Sequence, residues 1–278
     1  MAGNDEFSVR FWGVRGSVAC PGSATVRYGG NTSCVEVRCG DALVIFDTGT
    51  GIRALGEALV ARGDPVDADI FYSHCHIDHI CGLPFFAPCA RAGDRLRLWA
   101  GHLLPASGLA AALRQQFSYP LFPIEPSALG ATLEFRDFRG GEILTPRPAL
   151  RMSTGPLNHP GGATGYRLEF AGRAVAFITD TEHVPGRVDP EVLKLVAGVD
   201  LMIYDATYTD DELAAHAGWG HSTWQEALRI ADAARAKRVA LFHHAPEHDD
   251  AFLDEVAKAV AERSAESFVA REGLTVAL

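Results

Sequence analysis

The stretch YSHCHIDHICG (72–82) places His74, His76, Asp78 and His79 within six residues, directly after the apolar run DIFYS. A buried carboxylate is costly unless it is paired or holds a cation. Leaving an extended segment, His74 and His76 project the same way, because side chains two apart share a face. Asp78 and His79 come next, where a turn into a helix redirects them. The first pair therefore addresses one metal position and the second pair another.

The same chemistry recurs at other strand ends. Asp47 follows LVIF, Asp180 follows AVAFIT, Asp205 ends DLMIYD, and His243 and His244 follow RVALF. In α/β proteins ligands bind at the carboxyl ends of strands, where loops converge on a rigid frame. One Asp after a strand is ordinary turn chemistry; five strands ending in Asp or His are not. His159 in GPLNHPGG and His221 in GWGHST lie in glycine-rich loops that can approach the same place. His74, His76, His79, His159 and His243 count as nitrogen ligands, Asp78 and Asp180 as oxygen ligands. A single hydrolytic zinc takes three protein ligands and a water. Seven donors instead suit two ions that share a bridging carboxylate. The expected cofactors are two divalent metals, Zn²⁺ by donor type, with Mn²⁺ and Fe²⁺ compatible. Adjacent strand residues face opposite ways, and both faces of RVALF are apolar, so periodicity leaves His243 and His244 both open.

The chain has 278 residues, enough for a large core, and is expected to form one domain over 1–278. Apolar runs bounded by Gly, Pro or Asp predict strands at SVRFWGV, CVEVRCG, ALVIFDTG, DIFYSH, RLRLWAG, ATLEFRDF, ALRMSTG, DLMIYDAT and RVALFHH. TGYRLEFAGRAVAFITD reads as a hairpin about Ala171-Gly172, and ESFVAREGLTVAL closes the sheet structure. Helical periodicity marks 52–62, 106–117, 221–236 and 249–264, the third with Ser222 or Thr223 as N-cap and Glu226 placed for a capping box. The class is mixed α/β with many strands, with no internal sequence repeat. Region 83–148 is less regular and reads either as a lid over the site or as a surface connection.

Six cysteines without a CxxC pair read as reduced thiols, with Cys75 a weak substitute ligand. A net charge of −10 argues against a nucleic-acid surface, which needs clustered Lys and Arg. No apolar run approaches the ~18 residues of a membrane span. MAGNDEFSVR has no secretory pattern, so the expected location is cytoplasmic, with an oligomer compatible. Arg15 and Arg27, in the loop after the first strand, are candidate contacts for a substrate phosphate, and His244 a candidate substrate-facing group. His183 is a candidate neighbour of the ligands.

In order, FDTGTG (46–51), HCHIDH, His159, TDT with Asp180, and LFHHAP resemble the metallo-β-lactamase superfamily over nearly the whole chain. The resemblance implies a four-layer αβ/βα sandwich with metals at one edge. It makes Asp47 a structural neighbour of the metals, Asp78 a catalytic as well as a ligating group, and His243 the last ligand. The di-iron redox branch has Glu at the second motif position; His76 here implies hydrolysis. YDATYTDDELAAHAGWGHST resembles the phosphodiesterase branch, in which the acidic residue and the GHST histidine pair, here Asp205 and His221. Expelling an alkoxide from a phosphodiester benefits from a positioned acid, typically by about 10²–10⁴-fold. The resemblance thus implies a phosphodiesterase acting on a small-molecule substrate, a cyclic phosphate or nucleotide. Alternatives are an ester, thioester or lactone hydrolase, a tRNA 3′-end endonuclease, and a non-enzymatic metal sensor.

Overall fold

The computed structural model describes residues 5–278. Among the described residues there are fourteen strands: β1 (Phe7–Gly13), β2 (Cys34–Cys39), β3 (Ala42–Phe46), β4 (Asp67–Tyr72), β5 (Arg95–Ala100), β6 (Thr132–Asp137), β7 (Ile143–Leu144), β8 (Arg151–Leu157), β9 (Ala163–Phe170), β10 (Arg173–Ile178), β11 (Leu201–Asp205), β12 (Val239–Phe242), β13 (Phe268–Val269) and β14 (Thr275–Ala277). They form two seven-stranded sheets, ordered β14-β1-β2-β3-β4-β5-β6 and β13-β12-β11-β10-β9-β8-β7.

The reason for two sheets is written into single strands. In β3, Val44 and Phe46 enter the core shared by both sheets, while Leu43 and Ile45 face a helical layer. A strand buried on both faces reads as a continuous apolar run, which is why ALVIF lacks alternation. Between the sheets Phe46 stacks on Phe177 at 4.8 Å, and Phe71, Tyr166 and Phe242 fill the same layer. Outside the first sheet lie α1 (Ile52–Val60), the short α2 (Ile77–Ile80) and α3 (Leu109–Gln116). Outside the second lie α4 (Pro190–Val196), α6 (Trp224–Ala234) and α7 (Asp250–Arg263), with the four-residue α5 (Asp210–Leu213) preceding α6. The order helix, sheet, sheet, helix is the expected four-layer α/β sandwich.

The β9–β10 hairpin turns at Ala171 and Gly172, both with positive φ, as a two-residue hairpin favours. Thr223 caps α6 by accepting from the Glu226 amide, but the Glu226 carboxylate goes to Arg229 instead of closing a capping box. Helix α4 escaped the periodicity reading because it is short; its signal was Asp189, which accepts from the Glu191 amide, followed by Pro190. Region 83–148 contributes regular structure: β5 and β6 extend the parallel half of the first sheet, and α3 packs on it. All six cysteines are free thiols. Among the described residues no helix is long and apolar enough to cross a membrane.

The sheets share one plan. Strands β14-β1-β2-β3 pair antiparallel and β3-β4-β5-β6 parallel; likewise β7-β8-β9-β10 pair antiparallel and β10-β11-β12-β13 parallel. The sequence shows no repeat, yet the topology repeats. The carboxyl ends of the parallel strands of both sheets meet at one edge.

Candidate metal centre and acid–base pair

At that edge the backbone turns sharply. Asp47, Asp180 and His243, each just past a strand, have φ of 59°, 57° and 63°. Such left-handed values are uncommon for residues with a Cβ and concentrate at functional sites. The turn swings each side chain across the sheet end. Gly16 closes over His243: a Cβ there would lie 2.3 Å from the imidazole.

Two groups of donors result. In one, His79 Nε2 lies 3.2 Å from His243 Nε2, 3.1 Å from Asp78 Oδ2 and 3.3 Å from Asp180 Oδ2. His243 Nε2 is 3.4 Å from each of the two carboxylate oxygens. Donors about 2.1 Å from one zinc ion stand roughly 3.4 Å apart in a tetrahedron. In the other group, His159 Nε2 is 3.1 Å from His76 Nδ1 and 3.8 Å from Asp180 Oδ1, and His74 Nε2 is 3.9 Å from the same oxygen. Asp180 thus turns one oxygen to each group. His74 Nε2 is buried with no hydrogen-bond partner, an orphan that a cation would satisfy. The donor chemistry and spacing fit two divalent ions.

The opposite ring nitrogens are fixed by the protein, as metal-ligating histidines require. Ser73 Oγ lies 3.1 Å from His74 Nδ1, Asp47 Oδ2 2.7 Å from His79 Nδ1, Thr207 Oγ1 3.0 Å from His243 Nδ1, and the Gly220 carbonyl accepts from His159 Nδ1 at 2.8 Å. Asp47 also accepts from Ser33 Oγ and from both the amide and hydroxyl of Ser73. The Ser17 amide donates to Asp78 Oδ2 at 2.8 Å. Ser73, Thr207 and the Ser17 amide had no signal in the sequence, because a hydroxyl or amide becomes informative only beside its partner.

Burial opposes ionisation of Asp78 and Asp180, but His79 and His243 facing them hold both well below the usual carboxylate range. Burial pulls His79 down, yet Asp78, Asp180 and Asp47 raise it well above its usual value. Burial, with the neighbouring His79 charge, keeps His74 neutral. Buried carboxylates and imidazoles thus face one another at the strand ends, and the carboxylates stay ionised.

His221 Nδ1 meets Asp205 Oδ2 at 3.0 Å and stands 3.7 Å from Asp180 Oδ1. Burial lowers the imidazole's affinity for a proton, but the Asp205 charge and hydrogen bond outweigh it and raise the pKa to about 9. Asp205 Oδ1 accepts from the amide and hydroxyl of Thr207, so one carboxylate anchors both His221 and, through Thr207, His243. His183 bonds Ser222 Oγ at 2.8 Å, beside His221.

Three expected substrate contacts are corrected. Arg15 is fully buried, and its guanidinium donates to the carbonyls of Gly29, Ala245 and His248. Arg27 pairs with Asp254 and Asp250 on α7, away from the donors. His244 points into the protein, where Nε2 donates to the Ala270 carbonyl at 2.9 Å, and burial depresses its pKa to about 3. Arg15 and His244 spend their side chains on buried carbonyls, and Arg27 spends its own on a surface ion pair. Cys75 faces a cavity behind α2, with Ile77, Phe85 and Phe122, rather than the donors.

Comparison with known proteins agrees with this fold. The chain is 25% identical to the Ribonuclease Z of Pyrococcus furiosus over 87% of this chain and 89% of that protein. In fold it is similar to the metallo-beta-lactamase fold protein YhfI from Bacillus subtilis, with TM-score 0.72, 18% identity and coverage of 99% and 100%. It is also similar to a diphosphatase from the PhnP family, with TM-score 0.70, 20% identity and coverage of 98% and 97%. The family model described as the Beta-lactamase superfamily domain matches residues 43–244, a span that holds both donor groups and the Asp205–His221 pair, and the chain belongs to that family of metal-dependent hydrolases.

Proposed function

We propose that this hydrolase cleaves a small phosphodiester, a cyclic phosphate or nucleotide. The observation that carries the reading is the Asp205–His221 pair beside two donor groups that share Asp180. His74, His76, His159 and Asp180 Oδ1 would hold one divalent ion, and Asp78, His79, His243 and Asp180 Oδ2 the other, with zinc favoured by the nitrogen-rich set. When bound, such a pair supplies Lewis acidity towards water and the phosphoryl oxygens. Asp205 orients His221 through Nδ1 and keeps it protonated at neutral pH. His221 Nε2 then offers its proton to the leaving oxygen, the step a phosphodiester needs and an activated ester does not. Asp78, held by the Ser17 amide, keeps its oxygen beside His79 and His243.

A second reading is RNA 3′-end cleavage, favoured by a relative named Ribonuclease Z that aligns over most of both chains. Net charge therefore does not exclude a nucleic-acid substrate. Against RNA, of the two cations considered for phosphate contact Arg15 is buried and bonded to carbonyls, and Arg27 is paired with acidic residues of α7. The test is metal analysis with parallel assays on small phosphodiesters, a thioester and a precursor tRNA. Two metals per chain, with chelator-sensitive hydrolysis of small diesters, are expected. Diesterase activity that survives chelation sinks the reading, and tRNA cleavage without small-diester turnover replaces it with the second.

A further inference from the structure

Beside His221 stands an aromatic array that the acid–base pair does not use. The Tyr208 ring lies 6.0 Å from that of His221. His216 stacks on Tyr208 at 4.1 Å and 14°, and Trp219 meets His216 edge-on at 5.1 Å. Trp219 is 60% exposed. A single exposed apolar side chain is ordinary; this one is set apart by its ring contact with His216 and by the bonds that fix its flanking backbone. Glu182 accepts from the amides of Gly218 and Gly220, on either side of the indole, at 2.9 and 2.8 Å. Both glycines have positive φ, and a Cβ on Gly220 would fall 2.2 Å from His159 Nδ1. His216 Nδ1 donates to the Glu212 carbonyl. Trp219 thus sits on the same braced backbone that carries His221 and supports His159.

We propose that Trp219, backed by His216 and Tyr208, is a stacking platform for an aromatic base on the leaving-group side of the phosphodiester. The inference rests on the phosphodiesterase reading. His221 protonates the leaving oxygen, so the substituent on that oxygen lies on the side of His221, where Trp219 is the exposed aromatic surface. A separate cavity of about 590 Å³, lined by Ile77, Phe85 and Leu121, lies behind α2 and does not include Trp219. A rigid platform stacks a base at little cost in side-chain entropy. The substrate class is therefore a diester whose departing alcohol is a nucleoside.

The test uses the metal-loaded full chain, a dinucleoside monophosphate, and two analogues that each lack one base, with chromatography identifying the departing alcohol. Removing the leaving-side base should lower kcat/KM by roughly 5- to 150-fold, the range for one base–aromatic stack. Trp219→Ala should lose the same factor on the intact compound and nothing on the leaving-side abasic analogue, while Trp219→Phe keeps most of it. An equal loss for Trp219→Ala on all three compounds, or dependence on the other base, overturns the platform. Hydrolysis without any base preference overturns the platform alone; no hydrolysis of any diester overturns the phosphodiesterase reading with it.

Discussion

The two sheets follow one pairing plan but furnish the site in different ways. The first half delivers His74, His76, Asp78 and His79 from one continuous segment, the loop after β4 and the short helix α2 that follows it. The second half sends His159, Asp180, Asp205, His221 and His243 one at a time, from five separate loops or strand ends. The positions after β3 and β10 match in the shared plan, and both carry Asp with left-handed backbone. Their jobs differ. Asp180 presents both oxygens to the donor groups, whereas Asp47 spends its oxygens on Ser33, Ser73 and His79. In the proposed site, equivalent places in the two sheets serve as a bridge in one half and a brace in the other.

Asp180→Asn tests this contrast most severely, since Asn tolerates left-handed backbone and removes only the charge. Phosphodiester turnover should fall roughly 10⁴-fold, corresponding to several kcal/mol of lost metal-based stabilisation. Bound metal should fall with it, measured as metal per chain. His221→Ala should cost about 10³-fold on an alkyl leaving group but little on a p-nitrophenyl diester, which needs no acid, with metal content unchanged. Because Asp205 raises the pKa of His221 to about 9, the acid is present at neutral pH and is lost as pH rises through that value. Activity on alkyl diesters should fall on that alkaline limb, and Asp205→Asn should move the limb to lower pH in a pH–rate profile. Asp47→Asn, the counterpart of the first change, should weaken metal affinity only about 10- to 100-fold, as loss of a ligand's supporting hydrogen bond does; competition with a chelator reads this out. Should Asp47→Asn and Asp180→Asn cost the same, the division into brace and bridge fails. Smallest of all, Arg27→Ala breaks a surface ion pair, and is expected to leave turnover within about twofold and stability within about 0.5 kcal/mol.

The halves also differ in how far the sequence disclosed them. The first donor loop was legible because a spacing of two, then a helical turn, is local geometry. Strand runs such as ALVIF and LMIYD were legible because burial on both faces removes polar residues. The second half needed the fold: His159 and His221 are 62 residues apart and meet only because Gly220 joins their loops. The orientations of Arg15 and His244 were not legible, because which way a side chain turns at a strand end depends on local φ and on carbonyls from distant segments. His243 turns to the donors at φ 63° while His244 turns inward, a choice strand alternation could not make.

The left-handed backbone at Asp47, Asp180 and His243 offers a way to read the history of related chains. Each such residue costs of order 1 kcal/mol that glycine would recover. A descendant freed from its chemistry would drift towards Gly or Asn at these three positions and gain thermal stability as it did so. Retained Asp, Asp and His at those turns would then be a sign, visible in sequence alone, that a lineage still uses the site.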